Sequence, residues 1–184
     1  MKRIVVTFGV ISGVLSSLMM LLTVPFMDRI GFEYGHVFGY TAIVLSFLLV
    51  FFGIRSYREQ VGGALTFGRG FHVGILITLI SCAFYVLTWQ LVYFKLAPGF
   101  ADKYKAYAIE QKRAAGASEQ EIREIERQIE SFKVYYDNPL FNAAITFIEP
   151  FPVGLLVTLI SAGVLRRKDG GATATAGSLH ARQL

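Results

Sequence analysis

The sequence predicts an all-α membrane protein: four transmembrane helices, at about 4–26, 37–54, 71–94 and 139–165, with an extramembrane helical hairpin between the third and the fourth. Three observations carry that expectation. The 184 residues are 54% hydrophobic and only 17% charged, against about 25% charged residues in an average soluble domain. The deficit is concentrated in four long apolar runs, and a helix of ~20 apolar residues crosses a hydrocarbon core about 30 Å thick. The basic residues behind the net charge of +5 lie mostly beside those runs, where they serve as topology signals and contacts for anionic lipid; that placement argues against nucleic-acid binding. Residues 1–168 are expected to form one polytopic domain with an insert at 96–138, and the Gly/Ala/Thr-rich tail at 169–184 to be disordered.

In the first span, Lys2 and Arg3 precede 23 uncharged residues, 4–26. A secretory signal has an apolar region of about 7–15 residues and a small-residue cleavage site. Pro25-Phe26-Met27-Asp28 supplies no such site, so an uncleaved span is expected. Gly9 and Gly13 form a Gly-x-x-x-Gly pair with Ser16 and Ser17 one turn on, a stripe that lets another helix approach closely. A short loop at 28–35 carries Asp28, Arg29 and Glu33, and His36 follows as an edge hydrogen-bonding group.

Tyr34 and Tyr40 flank the start of the second span at interfacial positions. Residues 55–70 then read as a basic linker, with Arg55, Arg58 and Arg69 against Glu59 and turn-forming Gly62-Gly63 and Gly68-x-Gly70. It lacks the lysine and the strand-to-helix context of a P-loop, so an orientation-fixing interfacial loop is the plainer expectation. The third span holds the single cysteine, Cys82, as a packing residue. Its outer half is polar and aromatic, with Tyr85, Thr88, Trp89, Gln90 and Tyr93; Trp89 and Tyr93 are expected in the aromatic belt.

Residues 95–138 carry eight basic and eight acidic side chains. Phe100, Tyr104, Tyr107 and Ala108 share one helical face, Gly116 interrupts, and Ser118-x-x-Glu121 is a capping box opening a second helix. Ile122, Ile125, Ile129 and Phe132 follow at 3–4–3 spacing. A hairpin over 98–136 is expected, packed on itself, on the membrane face, or on a partner, either another copy of the chain or an envelope protein.

The last span carries the one acid deep in an apolar run, Glu149, followed by Pro150, Phe151 and Pro152. Each proline lacks an N–H and crowds the preceding turn, which predicts a kink or a short unwound step near 148–152. An ionised acid at the bilayer centre costs roughly 2.5–3.5 kcal/mol on insertion scales, so Glu149 is expected to face protein. Tyr85, Thr88 and Gln90 are its nearest candidate partners by depth. A functional acid and a neutral, hydrogen-bonded structural acid are both open readings. Residues 153–161 also echo residues 73–81 at seven of nine positions, with Gly74, Thr78 and Ser81 matched by Gly154, Thr158 and Ser161 on one helix face. A duplicated unit and two convergent packing faces both account for the echo. Arg166, Arg167 and Lys168 close the span, and His180 in the tail has no evident role. The basic residues at the N-terminus, at 55–70 and at 166–168 place both termini in the cytoplasm and 95–138 outside.

From about residue 4 to 168 the chain resembles a bacterial inner-membrane family known as domain of unknown function 4199. The likeness rests on Gly53-Ile54-Arg55-x-Tyr57-Arg58, on Gly63 with Thr66-Phe67-Gly68-Arg69-Gly70-Phe71-His72-Val73-Gly74, on Pro98-x-Phe100, and on Glu149-Pro150-Phe151-Pro152-Val153-Gly154. The resemblance implies four spans and an inner-membrane location, and it brings no activity or catalytic residues.

There is no His-Glu-x-x-His and no Gly-x-Ser-x-Gly, and the three histidines lie far apart in sequence. No enzyme activity, cofactor or metal is therefore expected. The expected function is a non-enzymatic scaffold or accessory protein in the lipid bilayer. The alternative is an oligomeric ion- or proton-coupled transporter or channel that uses Glu149 at a broken helix.

Overall fold

The computed structural model describes residues 1–27 and 31–167. The expectations for Asp28, Arg29, Lys168, the 169–184 tail with His180, and the side chains of Glu33 and His36 lie outside the described residues. Among the described residues seven α-helices follow in order: α1 Lys2–Thr23, α2 Phe32–Gln60, α3 Phe67–Leu91, α4 Phe100–Ala114, α5 Glu119–Tyr136, α6 Pro139–Ile148 and α7 Pro150–Leu165. A 3-10 turn, Val24–Phe26, extends α1, and a π-helical turn, Val92–Leu96, extends α3. Among the described residues four stretches are long and apolar enough to cross a membrane: Lys2–Thr23, Val37–Gln60, Phe67–Leu96 and Pro139–Leu165. The chain is an all-α membrane protein, and its outward side chains, such as Leu22, Leu48, Leu87, Leu156 and Val164, are apolar and suit lipid contact.

Two element boundaries differ from the sequence expectation. The second span, expected at 37–54, is the middle of a helix of 29 residues, about 44 Å long at 1.5 Å per residue, which exceeds the hydrocarbon core. The basic linker expected at 55–70 shrinks to 61–66, because Arg55 and Arg58 continue α2 and Arg69 lies in α3. Arginine, glutamate and glutamine favour helix, and Arg55 Nε meets Glu59 Oε1 at 3.0 Å one turn on. Thr66 caps α3 by accepting from Arg69 N. Two backbone hydrogen bonds, Leu65 N to Arg167 O at 3.0 Å and Arg167 N to Leu65 O at 2.9 Å, tie the link to the end of α7.

Helix α3 sits centrally, packed against α1, α2, α6 and α7. The enclosed core, with Ile43, Phe47, Val50, Ile54, Val73, Ile77 and Cys82, fills one end of the bundle. Small residues set the approach of the helices: Gly9 lies against Ile80 and Gly13 against Phe84. Ser12 Oγ donates to Ser46 O at 2.8 Å, and Ser81 Oγ to Gly9 O at 3.4 Å. In lipid, where burial alone drives little helix association, such contacts carry the packing.

Helices α4 and α5 run antiparallel about a turn at Gly116, whose φ of +80° favours glycine. Lys105 bridges Glu126 and Glu130 at 2.9 and 2.6 Å, and Lys133 reaches Asp102 at 2.6 Å. Ser118 and Glu121 form the capping box from both directions. The pair is fastened to the bundle by Phe32, which packs edge-on to Phe100 and Tyr104 and tilted against Tyr107.

Candidate functional site

The sequence breaks the last span where it carries its acid. Pro150 and Pro152 leave the carbonyls of Thr146 and Ile148 without their i+4 donors, so α6 ends at Ile148 and α7 begins at Pro150. Glu149 between them keeps helical angles, φ −68° and ψ −59°. The interruption is one residue long and no segment is unwound. Pro150 is fully buried, whereas Pro152 is exposed.

Glu149, which is exposed, is one of the residues lining a partly open cavity of about 530 Å³ between the α4–α5 pair and the adjoining parts of α1, α2, α3 and α6. Tyr85 Oη donates to Glu149 Oε2 at 3.0 Å. The other two candidate partners are placed elsewhere. Thr88 Oγ1 donates to Ser17 Oγ at 2.7 Å, which joins α3 to α1. Gln90 Nε2 donates to Asn142 Oδ1 at 2.9 Å and to Pro139 O at 3.1 Å. The reason is helical geometry: Gln90 lies about 140° around α3 from Tyr85 at 100° per residue, and α6 runs antiparallel, so it presents Asn142 at that level and Glu149 one level deeper.

Asn142 was not expected to matter, yet it is fully buried and organises a network. Trp89 Nε1 donates to Tyr136 Oη at 2.9 Å, Tyr136 Oη meets Thr146 Oγ1 at 3.5 Å, Thr146 donates to Asn142 Oδ1 at 3.4 Å, and Asn142 Nδ2 donates to Tyr136 O at 3.2 Å. Tyr93 Oη donates to Asp137 Oδ1 at 2.7 Å. Trp89 and Tyr93, expected in the aromatic belt, thus face protein and clamp α5 to α3, because the hairpin folds back over them. Burial raises the Tyr136 phenol above its ordinary value of 10.0, so it stays neutral and hydrogen-bonding. An asparagine seven residues before Glu149, on the same helix face, was the available signal for Asn142. Nothing in the sequence placed Tyr136.

The cavity wall is apolar and adaptable. Met19, Met20 and Met27 line one side, and Tyr40, Trp89 and Phe100 are among its aromatic faces. Among the described residues, the charged side chains in its lining are Glu149 and Lys133. Among the described residues no group of three His, Cys, Asp or Glu side chains is placed to hold a metal ion.

The echoing segments meet face to face on the far side of Glu149. Thr78 Oγ1 lies 3.1 Å from Thr158 Oγ1 and 3.4 Å from Gly154 O. Gly74 faces Thr158 as Gly154 faces Thr78, a reciprocal antiparallel contact. Ser81 and Ser161 are buried beside it.

No curated protein and no solved structure matches the chain. Residues 7–167 match the family described as "Protein of unknown function (DUF4199)", and with its four spans and interrupted last helix the chain belongs to that family.

Proposed function

We propose that the protein is a non-enzymatic membrane protein that holds an amphiphilic molecule in the cavity between its helical bundle and the α4–α5 hairpin. The observation that carries this reading is a partly open cavity of about 530 Å³, walled by methionine and aromatic side chains, with the Glu149 carboxylate among its lining groups. Small-molecule sites occupy about 300–1,000 Å³ and combine apolar walls with few polar groups. The scaffold expectation drew on a hairpin with spare surface, but the inward faces of α4 and α5 are taken up by Phe32, Trp89 and Tyr93. Conduction past Glu149 is disfavoured by the packing beyond it, where Ile43, Phe47, Thr78 and Thr158 are buried. A bacterial inner-membrane location with both termini cytoplasmic belongs to the same proposal. Its support is that Lys2, Arg3, Arg55, Arg58, Arg69, Arg166 and Arg167 gather at helix ends on the side away from the hairpin.

Gly39 lines the cavity, and a Cβ there would meet nothing within 4 Å. Gly39→Phe therefore starts its side chain in open space and is expected to take up part of the cavity. Native mass spectrometry of protein released from its membrane is expected to show a bound amphiphile at about one per chain, reduced in Gly39→Phe. Absence of any adduct, or equal adducts on both proteins, overturns the reading.

A further inference from the structure

We propose that the cavity opens sideways onto lipid between α2 and α6, and that the acyl chain of a bilayer lipid enters it there. This rests on the cavity-binding reading above and adds the source of the ligand and its route.

The opening follows from how the broken last span packs. Helix α7 packs on α2 and α3, whereas α6 packs on α3 and α5. Phe47 of α2 meets α7 at Gly154, where a Cβ would lie 2.8 Å from two carbons of its ring. Tyr40 is seven residues earlier and on the same face of α2, at the level where α7 has given way to α6. There the gap is not closed. Tyr40 is 51% exposed, and a Cβ on the adjacent Gly39 would meet nothing within 4 Å. Across the gap stand Ile145 of α6 and Glu149 at the break, both in the cavity lining. A glycine in a membrane helix usually lets another helix approach; Gly39 instead keeps a passage clear.

This opening lies at the depth of hydrocarbon. Helix α7 ends at Leu165, just before Arg166 and Arg167, and has 16 residues, about 24 Å at 1.5 Å per residue. Measured from that end, Glu149 is still within a core about 30 Å thick. The side chains beyond each rim are apolar and exposed, Val37 and Val44 on α2, Phe141 and Ile148 on α6. The mouth is therefore continuous with the outward apolar surface of the bundle, and acyl chains are what borders it. Inside, Met19 and Met20 are unbranched and conform to a flexible chain. An apolar chain asks nothing of the Glu149 charge, which Tyr85 already engages through Oε2 at 3.0 Å.

The single tryptophan, Trp89, lines the cavity and reports on what enters. The full-length protein is placed in nanodiscs of phosphatidylcholine with brominated or ordinary acyl chains, and iodide is titrated from the water. Brominated chains are expected to lower Trp89 emission, Gly39→Phe to restore most of it, and iodide to leave it unchanged. Emission lost to iodide but not to brominated chains means that the cavity opens to water; it overturns the portal and leaves the cavity reading standing. Equal loss to brominated chains in Gly39→Phe and in the unaltered protein means that Trp89 is reached from the surrounding lipid, and overturns the portal too. Emission unaffected by either quencher shows that no chain enters from the bilayer, with the same consequence. Should Gly39→Phe fail to fold, Ile145→Phe narrows the passage from the α6 side and is read in the same way. The cavity reading itself stands or falls on the adduct in native mass spectrometry, so the two failures are told apart.

Discussion

Gly154 has no side chain because Thr78 and Phe47 occupy the space that one would take. A methyl at 154 would meet Thr78 Cγ2 and, at 2.8 Å, two carbons of the Phe47 ring. Overpacking of this kind costs about 1–3 kcal/mol, so Gly154→Ala is expected to destabilise the bundle by that amount in reversible unfolding from mixed micelles. Adding Thr78→Ser removes Cγ2 but keeps the hydroxyl that bridges Gly154 O and Thr158. The double variant should regain part of the loss, and strict additivity would show that the two positions do not share space. The echo at 73–81 and 153–161 was legible because identical small and hydroxylated residues recur at one spacing. That the two copies lie against each other was not legible, since periodicity gives a face and no partner. Glu149 stood out for the same kind of reason, a single acid inside an apolar run. Its partner was narrowed to three neighbours, and the choice of Tyr85 over Thr88 and Gln90 depended on the rotation of α3 against α6, which no linear spacing encodes.

Among the elements, the α4–α5 pair was the most readable, because its signals are local. Ser118 Oγ accepts from Glu121 N at 3.3 Å, and Glu121 Oε2 accepts from Ser118 N at 2.7 Å. The bonds that Ser118 N and, at 2.9 Å, Ser118 Oγ donate to Glu121 Oε2 hold the Glu121 carboxyl below its ordinary value of 4.5. A lowered acid stabilises the fold while ionised, so its contribution is fully present above 4.5 and is lost as pH falls through the depressed value. Hydrogen exchange at the first turn of α5, corrected for intrinsic rates, is expected to keep its protection above pH 4.5 and to lose it as pH falls below that value. Glu121→Gln should flatten that dependence, and an unchanged slope in the variant would assign the acid sensitivity to other carboxylates. The ends of α2 and α3 were harder to read. A hydropathy run stops at its first arginine, but helix propensity does not, so Arg55, Arg58 and Arg69 were assigned to a loop although they are helical. The interruption of the last span was legible from Pro150 and Pro152, and its shortness was not, because Glu149 retains helical angles and is flanked by helix on both sides.

On the scale of the molecule, the two ends of the bundle are built differently. One end is solid, with Val50, Ile54, Val73 and Ile77 fully enclosed and the 61–66 link fastened to Arg167 by two backbone bonds. The other end is hollow, and the α4–α5 hairpin closes over it through the Trp89–Tyr136 and Tyr93–Asp137 bonds. This polarity has a topological consequence. Four crossings return the chain to the side on which it began, so the start of α1, the 61–66 link and the end of α7 share one side and the Gly116 turn lies on the other. Basic flanks mark the solid end, while the hairpin balances its own charges in ion pairs such as Lys105–Glu130 and Lys133–Asp102. In the orientation proposed above, which rests on the bias of basic residues toward the cytoplasm, the hollow end would face outward. Single cysteines at two exposed positions test this, Ala115→Cys beside the turn and Val61→Cys on the link. The native Cys82 is fully enclosed and gives no background. In sealed right-side-out vesicles a membrane-impermeant maleimide is expected to label Ala115→Cys at once and Val61→Cys only after the vesicles are opened. The reverse pattern would turn the cavity toward the cytoplasm, and labelling of both in sealed vesicles would show that one of the four apolar helices does not cross.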